Sequence, residues 1–104
     1  MKILVRNNTD LPKRYAGFIR SRIRKAKEKF QHLLYAEVYL SKEGNSNAEY
    51  KSVVKLGVGG QDIVLTNTST NPTELWRKTF EDVQRYLRKY KKRHRTPQIA
   101  MSLS

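Results

Sequence analysis

Eleven residues, Arg85 to Arg95, read RYLRKYKKRHR, and seven of them are Lys or Arg. Side chains of this type at this density suit one kind of chemistry, the holding of phosphate oxygens by charge and by N–H donors. Hydrolytic or group-transfer chemistry needs other groups, and the chain offers few. His32 and His94 stand far apart, with no metal-ligand spacing around them. The nine carboxylates are scattered, and no pair is spaced for acid–base work. With no Cys there is neither a disulfide framework nor a thiolate metal site. The glycines at 57, 59 and 60 precede a strand-like run, not the helix that a phosphate-cradling loop requires. No catalytic constellation is evident; the chain is not expected to be an enzyme, nor to carry a cofactor or metal.

The elements that must position these cations follow from apolar spacing. Lys2–Arg6 reads as a strand, and Asn7–Asp10 as turn chemistry, with Thr9 or Asp10 a natural helix N-cap and Pro12 in the first turn. A helix is predicted from about Leu11 to Leu33. Its stripe is Leu11, Tyr15, Phe18, Ile19, Ile23, Ala26, Phe30 and Leu33, at three- and four-residue spacing. Tyr35–Ser41 and Glu49–Val58 read as strands. Gly59-Gly60 marks a two-residue hairpin, since both tolerate positive φ, and Gln61–Asn67 closes the meander. With Asn71 as N-cap, a second helix runs from about Thr73 to Arg93 on the stripe Trp76, Phe80, Val83, Leu87 and Tyr90. Thr96–Ser104 carries no charge and reads as a loose tail, leaving 1–95 as a single domain and 96–104 as a flexible C-terminal segment. The order β-α-β-β-β-α, with one apolar stripe per helix, predicts an α+β two-layer sandwich. Its sheet is mixed and four-stranded, both helices cover one face, and the first two strands are parallel through a right-handed crossover.

The arginine- and lysine-rich stretch is therefore no tail: Leu87 and Tyr90 carry the core stripe through it. At about 100° per residue, Arg85, Arg88, Lys89 and Lys92 fall on the face opposite that stripe, joined by Lys78. A solvated helix face is the ordinary account of such a run, and cations in the last turns do complement the helix dipole. That account does not reach the first helix, which is basic from Lys13 to Lys29 against a single Glu28. With both helices on one side, at a usual spacing of roughly 10 Å, Arg20, Arg24 and Lys27 would form one cationic ridge. Arg85, Arg88, Lys89 and Lys92 would form a second. Two such ridges suit the backbone of a folded or duplex RNA, contacts that position without reading bases. Few aromatics are expected on the surface: Tyr86 is the main candidate and Tyr39 the second, each more readily read as a core-edge Tyr. A single-strand stacking platform is thus disfavoured.

The formal net charge of +13 supports the same class of partner. Small domains usually keep roughly 2 to 8, because an excess self-repels and attracts polyanions. No apolar run approaches the ~18 residues of a membrane span, and the N-terminal apolar stretch is too short for a signal peptide. A cytoplasmic location is expected.

Several local motifs carry a resemblance. They are the NNTDLP helix entry at Asn7–Pro12, the VGGQDI hairpin at Val58–Ile63, and the VQRYLRKYKK ending at Val83–Lys92. Together with the element order, these make about residues 1–95 similar to the ribosome hibernation promoting factor and ribosome-associated inhibitor family, also called sigma-54 modulation proteins. The ending resembles the family's L-x-x-Q-L-x-K-x-K helix, with Leu87, Lys89 and Lys91 at its Leu and Lys positions and Arg85 at a basic one. The entry to the second helix departs from the family's Tyr-Ala-Ala-Ile-like run, with Asn71-Pro72-Thr73-Glu74-Leu75-Trp76 in its place.

The resemblance implies a short-form hibernation factor that is monomeric away from the ribosome and binds the small ribosomal subunit in the decoding region. Its basic helices would lie on ribosomal RNA and sterically block mRNA and tRNA. Arg85, Lys89 and Lys91 are then RNA contacts by motif. Arg20, Arg24, Lys27, Arg88 and Lys92 are contacts by helix geometry and charge. The alternatives are a generic double-stranded RNA-binding module, a nuclease, and a binder of acidic protein or anionic membrane.

Overall fold

The structure, a computed structural model, describes the backbone of residues 1–44 and 48–103 and the side chains of 1–44 and 48–90. The elements are β1 (Lys2–Asn8), α1 (Lys13–Lys29), β2 (Leu33–Glu43), β3 (Glu49–Val58), β4 (Gln61–Ser69) and α2 (Pro72–Leu103). The strands form one sheet in the order β1-β2-β3-β4. β1 pairs parallel with β2, while β2-β3 and β3-β4 are antiparallel. The predicted α+β sandwich with a mixed four-stranded sheet is therefore the fold.

Register decides which side chains meet the helices. Val5, Val38 and Val54 align across three strands, and Ala36 pairs with Leu56, which faces Ile63. These residues line the covered face and join Ile19, Ile23, Ala26 and Phe30 near α1, and Trp76, Val83, Leu87 and Tyr90 of α2, in one core. The single polar pair in this core, among the described residues, is Ser52–Thr79, with oxygens 2.6 Å apart. At the hairpin, Gly59 and Gly60 have φ of 56° and 85°, the two positive values that a two-residue turn of this kind needs.

Four expectations shift. Helix α1 is shorter than predicted at both ends. Its N-cap residue is Pro12, which has no side chain able to cap. Thr9 instead accepts the Leu11 N–H at 3.0 Å within a turn closed by Asn7, so the cap chemistry is spent before the helix begins. At the other end the Phe30 N–H still reaches the Ala26 carbonyl, but Phe30 itself is extended, and Leu33 opens β2 as a fully buried residue. Phe18, placed in the core stripe by spacing, is 50% exposed. It lies near the edge of that stripe, and only the Ile19-Ile23-Ala26 line reaches the sheet. Strands β1, β2 and β4 extend past their predicted ends, because backbone pairing continues where side-chain alternation has faded. Helical backbone runs through 96–103, where the sequence suggested a loose tail.

Asn71 caps α2 as predicted: its Oδ1 accepts the N–H groups of Thr73 (2.9 Å) and Glu74 (3.3 Å).

Candidate nucleic-acid interface

Helix α2 presents its cations on the side away from the sheet. Arg85, Arg88 and Lys89 are exposed, while Val83, Leu87 and Tyr90 between them are buried. Arg85 sits 3.4 Å from Asp82 and Arg88 Nε donates to the Gln84 carbonyl at 3.4 Å, contacts too long to hold either guanidinium firmly. The first half of the helix is different. Arg77 bridges Glu74 (2.6 Å) and Glu81 (2.8 Å), so its charge is already answered. The Arg77 guanidinium, first by hydrogen bonding, holds the Glu74 carboxyl below the usual carboxylate range. Of the early cations of α2, exposed Lys78 is left without an ion pair among the described residues, and the denser charge available to a polyanion begins at Arg85. Lys91 and Lys92 continue the same helix, but their side chains lie outside the described residues, as does that of His94.

On α1 the cations divide between two flanks. Ile19, Ile23 and Ala26 face the sheet. Arg22, Lys25 and Lys29 lie on the flank turned toward α2, where they line the space between the helices. Arg20, Arg24 and Lys27, by helical geometry, lie on the opposite flank. Arg24 is exposed, Arg20 is half-buried, and Lys27 Nζ donates to the Gln31 carbonyl at 2.7 Å. The residues expected to form the first ridge therefore point away from α2, and those nearest α2 are a second set.

Among the described residues the two helices touch through few side chains. The Tyr15 hydroxyl donates to the Pro72 carbonyl at 2.8 Å and ties their N-terminal ends. Beyond that tie a groove of about 750 Å³ opens between them. Trp76 and Phe80 of α2, with Phe18 and Phe30, supply its aromatic lining, and Arg22, Lys25 and Lys29, with one carboxylate at Glu28, stand along its α1 wall. Arg22 spans the gap, its Cζ 4.8 Å from the Phe80 ring centroid and 5.6 Å from that of Phe18. Trp76 and Phe80 are 5.7 Å apart and tilted by 36°. Trp76 is buried, and its Nε1 finds no acceptor among the described residues. Periodicity placed Phe18, Trp76 and Phe80 alike in core stripes, and it carried no signal that singled out Arg22 among its basic neighbours.

The opposite face of the sheet has another character. Tyr35 lies over Gly57, where any Cβ would overlap its ring, and its hydroxyl donates to Asp62. That bond pushes its pKa up to about 12. Tyr39 donates to Glu37 at 2.7 Å, which also raises its pKa. With both hydroxyls committed to carboxylates, this face is mixed in charge. Tyr86 packs against the core, as expected of a core-edge Tyr. Near the edge of β2, Lys42 and Tyr50 both bind Asp10, which holds the Asp10 carboxyl below its ordinary range. The His32 ring meets Tyr90 edge-on at 5.5 Å. Among the described residues no cluster of His, Asp and Glu could hold a metal, and no helix is long and apolar enough to cross a membrane.

Residues 3–95 match the family described as sigma 54 modulation protein / S30EA ribosomal protein. Two solved structures share the fold. A ribosomal subunit interface protein from Coxiella burnetii superposes with a TM-score of 0.63 at 14% identity, covering 88% of this chain and 98% of its own. The N-terminal domain of Protein Y from Thermus thermophilus gives a TM-score of 0.67 at 11% identity, covering 86% and 94%. No curated protein matches by sequence.

Proposed function

The chain belongs to the sigma 54 modulation protein / S30EA ribosomal protein family, and from that premise we propose that it is a cytoplasmic ribosome hibernation factor. It docks on the small subunit in the decoding region and sterically excludes mRNA and tRNA. No catalysis is involved: bound protein occupies space, and inactive ribosomes are stored. The unit that docks is residues 1–95, with 96–104 a dispensable tail, and the free protein is a monomer.

The observation that carries this reading is the segregation of charge. Both helices lie on one face of the sheet, and the exposed cations of α1 and of the later part of α2 share that side. Phosphate contacts made there need no base recognition, which suits a surface of folded ribosomal RNA. The generic double-stranded RNA-binding module is less well supported. That module usually concentrates Lys at the start of its last helix, and here that end holds Asn71, Glu74 and the neutralised Arg77.

Co-sedimentation with ribosomal subunits on sucrose gradients tests the proposal. The protein is expected to travel with the small subunit, and a chain ending at Arg95 to do the same. The triple reversal Arg85→Glu, Lys89→Glu, Lys92→Glu is expected to stay at the top of the gradient with its fold intact by circular dichroism. Persistent binding of the triple variant would move the site off α2. Binding to free duplex RNA without small-subunit binding would replace the ribosomal reading with the duplex one.

A further inference from the structure

We infer that the groove between α1 and α2 seats an unpaired RNA nucleotide, its base against the aromatic side chains and its phosphates on the basic α1 wall. The inference rests on the ribosomal-RNA reading and adds to it a contact that recognises a base and not only a backbone. Three observations carry it.

The first is size and lining. At about 750 Å³ the groove falls within the ~300–1,000 Å³ typical of small-ligand sites. Phe18, Phe30, Trp76 and Phe80 are its aromatic lining, and aromatic rings stack bases of any identity. Phe18 is half-exposed on a helix whose neighbouring Ile19 and Ile23 are buried, so its ring stands at the rim and is open to a partner.

The second is charge placed on one side. Arg22, Lys25 and Lys29 stand along the α1 wall beside a single carboxylate, Glu28, and no ion pair engages these three cations among the described residues. The α2 wall carries Arg77 and Glu81, which satisfy each other. A nucleotide has the same asymmetry: a flat apolar base on one side and anionic phosphate on the other. Arg22 joins the two functions. Held beside Phe80 and Phe18, its guanidinium is oriented before any ligand arrives, so less side-chain freedom is lost when it binds phosphate.

The third is Trp76. It is more than nine-tenths buried at the groove floor, and its N–H lacks an acceptor among the described residues. Buried indole N–H groups usually find a partner; ring-nitrogen and carbonyl acceptors on a base edge lying in the indole plane are of the kind that would supply one, while Phe18 and Phe80 make the stack. A duplex cannot enter in this way, because its bases are paired and stacked.

Trp76 is the sole tryptophan of the chain, so its fluorescence reports on the groove directly. The experiment titrates the full chain with a tetra-adenylate RNA. Controls are an abasic tetranucleotide of the same backbone, a short RNA duplex and a tetraglutamate peptide. Tetra-adenylate is expected to change the fluorescence saturably, and the three controls are not. Phe18→Ala removes an exposed ring, so the fold should survive. It is expected to weaken tetra-adenylate binding by roughly fivefold to a hundredfold, the range for loss of one base–aromatic stack. Arg22→Lys keeps the charge and is expected to weaken it too.

Equal responses to the abasic or duplex RNA would overturn the proposal, leaving only a cationic surface. A matching response to tetraglutamate would overturn it in favour of an acidic-peptide site. Small-subunit co-sedimentation, scored in parallel, separates the two claims. Intact co-sedimentation with no base-dependent signal removes the groove site alone. A base-dependent signal without co-sedimentation upholds the groove and removes the ribosome.

Discussion

Thr79 shows how a single side chain links the sheet to α2. Its hydroxyl donates to the Leu75 carbonyl at 2.8 Å, which leaves Ser52 to donate to Thr79 Oγ1 across 2.6 Å of fully buried space. Thr79→Val keeps the shape and strands the Ser52 proton, at a cost of about 1–3 kcal/mol. Adding Ser52→Ala removes the stranded group, so the double variant is expected to recover part of that loss in urea denaturation. Strictly additive losses would show that the pair is not coupled.

Tyr35 offers a pH-dependent counterpart. Its hydroxyl, bound to Asp62, has a pKa raised to about 12, whereas an unfolded chain titrates near ~10. A raised pKa means that the bond contributes fully below pH ~10 and is lost as pH climbs through about 12. The stability advantage of the wild type over Tyr35→Phe should therefore close across that window. A constant gap would mean that the bond contributes nothing in solution.

At the scale of elements, the disposition of α1 is the point that needs testing. Its cations form two rows on opposite flanks. Arg22, Lys25 and Lys29 face α2, whereas Arg20, Arg24 and Lys27 face away. If RNA lies across both helices, reversing the inner row to Glu is expected to abolish small-subunit binding, and reversing the outer row to weaken it severalfold. The opposite ranking, measured on the same gradients, would place the RNA along the outer flank of α1. Both triple variants change exposed or half-exposed positions, so circular dichroism and thermal midpoints should stay close to wild type. For α2 the relevant boundary lies within the helix. Its early cation Arg77 is held between two carboxylates, Lys78 is exposed and without an ion pair among the described residues, and the dense run of free charge starts at Arg85.

At the scale of the whole molecule, a net charge of +13 costs the folded state through self-repulsion and becomes favourable only against a polyanion. Binding should then be steeply dependent on salt. Log affinity is expected to fall linearly with log salt, with a slope of roughly −0.7 to −0.9 per phosphate engaged, extrapolating from simple nucleic-acid helices. Six contacts would cost affinity by orders of magnitude between dilute and physiological salt. A flat response in a filter-binding series would count against docking by phosphates. Segregation matters as much as the total: on the outer sheet face Arg6, Lys51 and Lys55 share the surface with Glu37 and Asp62, which hold the Tyr39 and Tyr35 hydroxyls.

The sequence by itself determined the element order, the parallel first pair, the Gly59-Gly60 hairpin and the Asn71 cap. Each depends on local rules: apolar period, left-handed backbone at glycine, a side-chain acceptor three residues before a free N–H. It also pointed to the class of partner, because charge and its helical phase can be counted along a chain. What it could not determine was how far apart the helices stand. Periodicity gives each helix a buried side, but not the distance between two helices resting on the same sheet. That distance is set by the four-strand width beneath them and by the Tyr15–Pro72 tie at one end. So Phe18, a core residue by spacing, became a rim residue. Arg22, Lys25 and Lys29, indistinguishable from their neighbours in the sequence, became the wall of a groove, because only the packed sheet decides which flank of α1 faces α2.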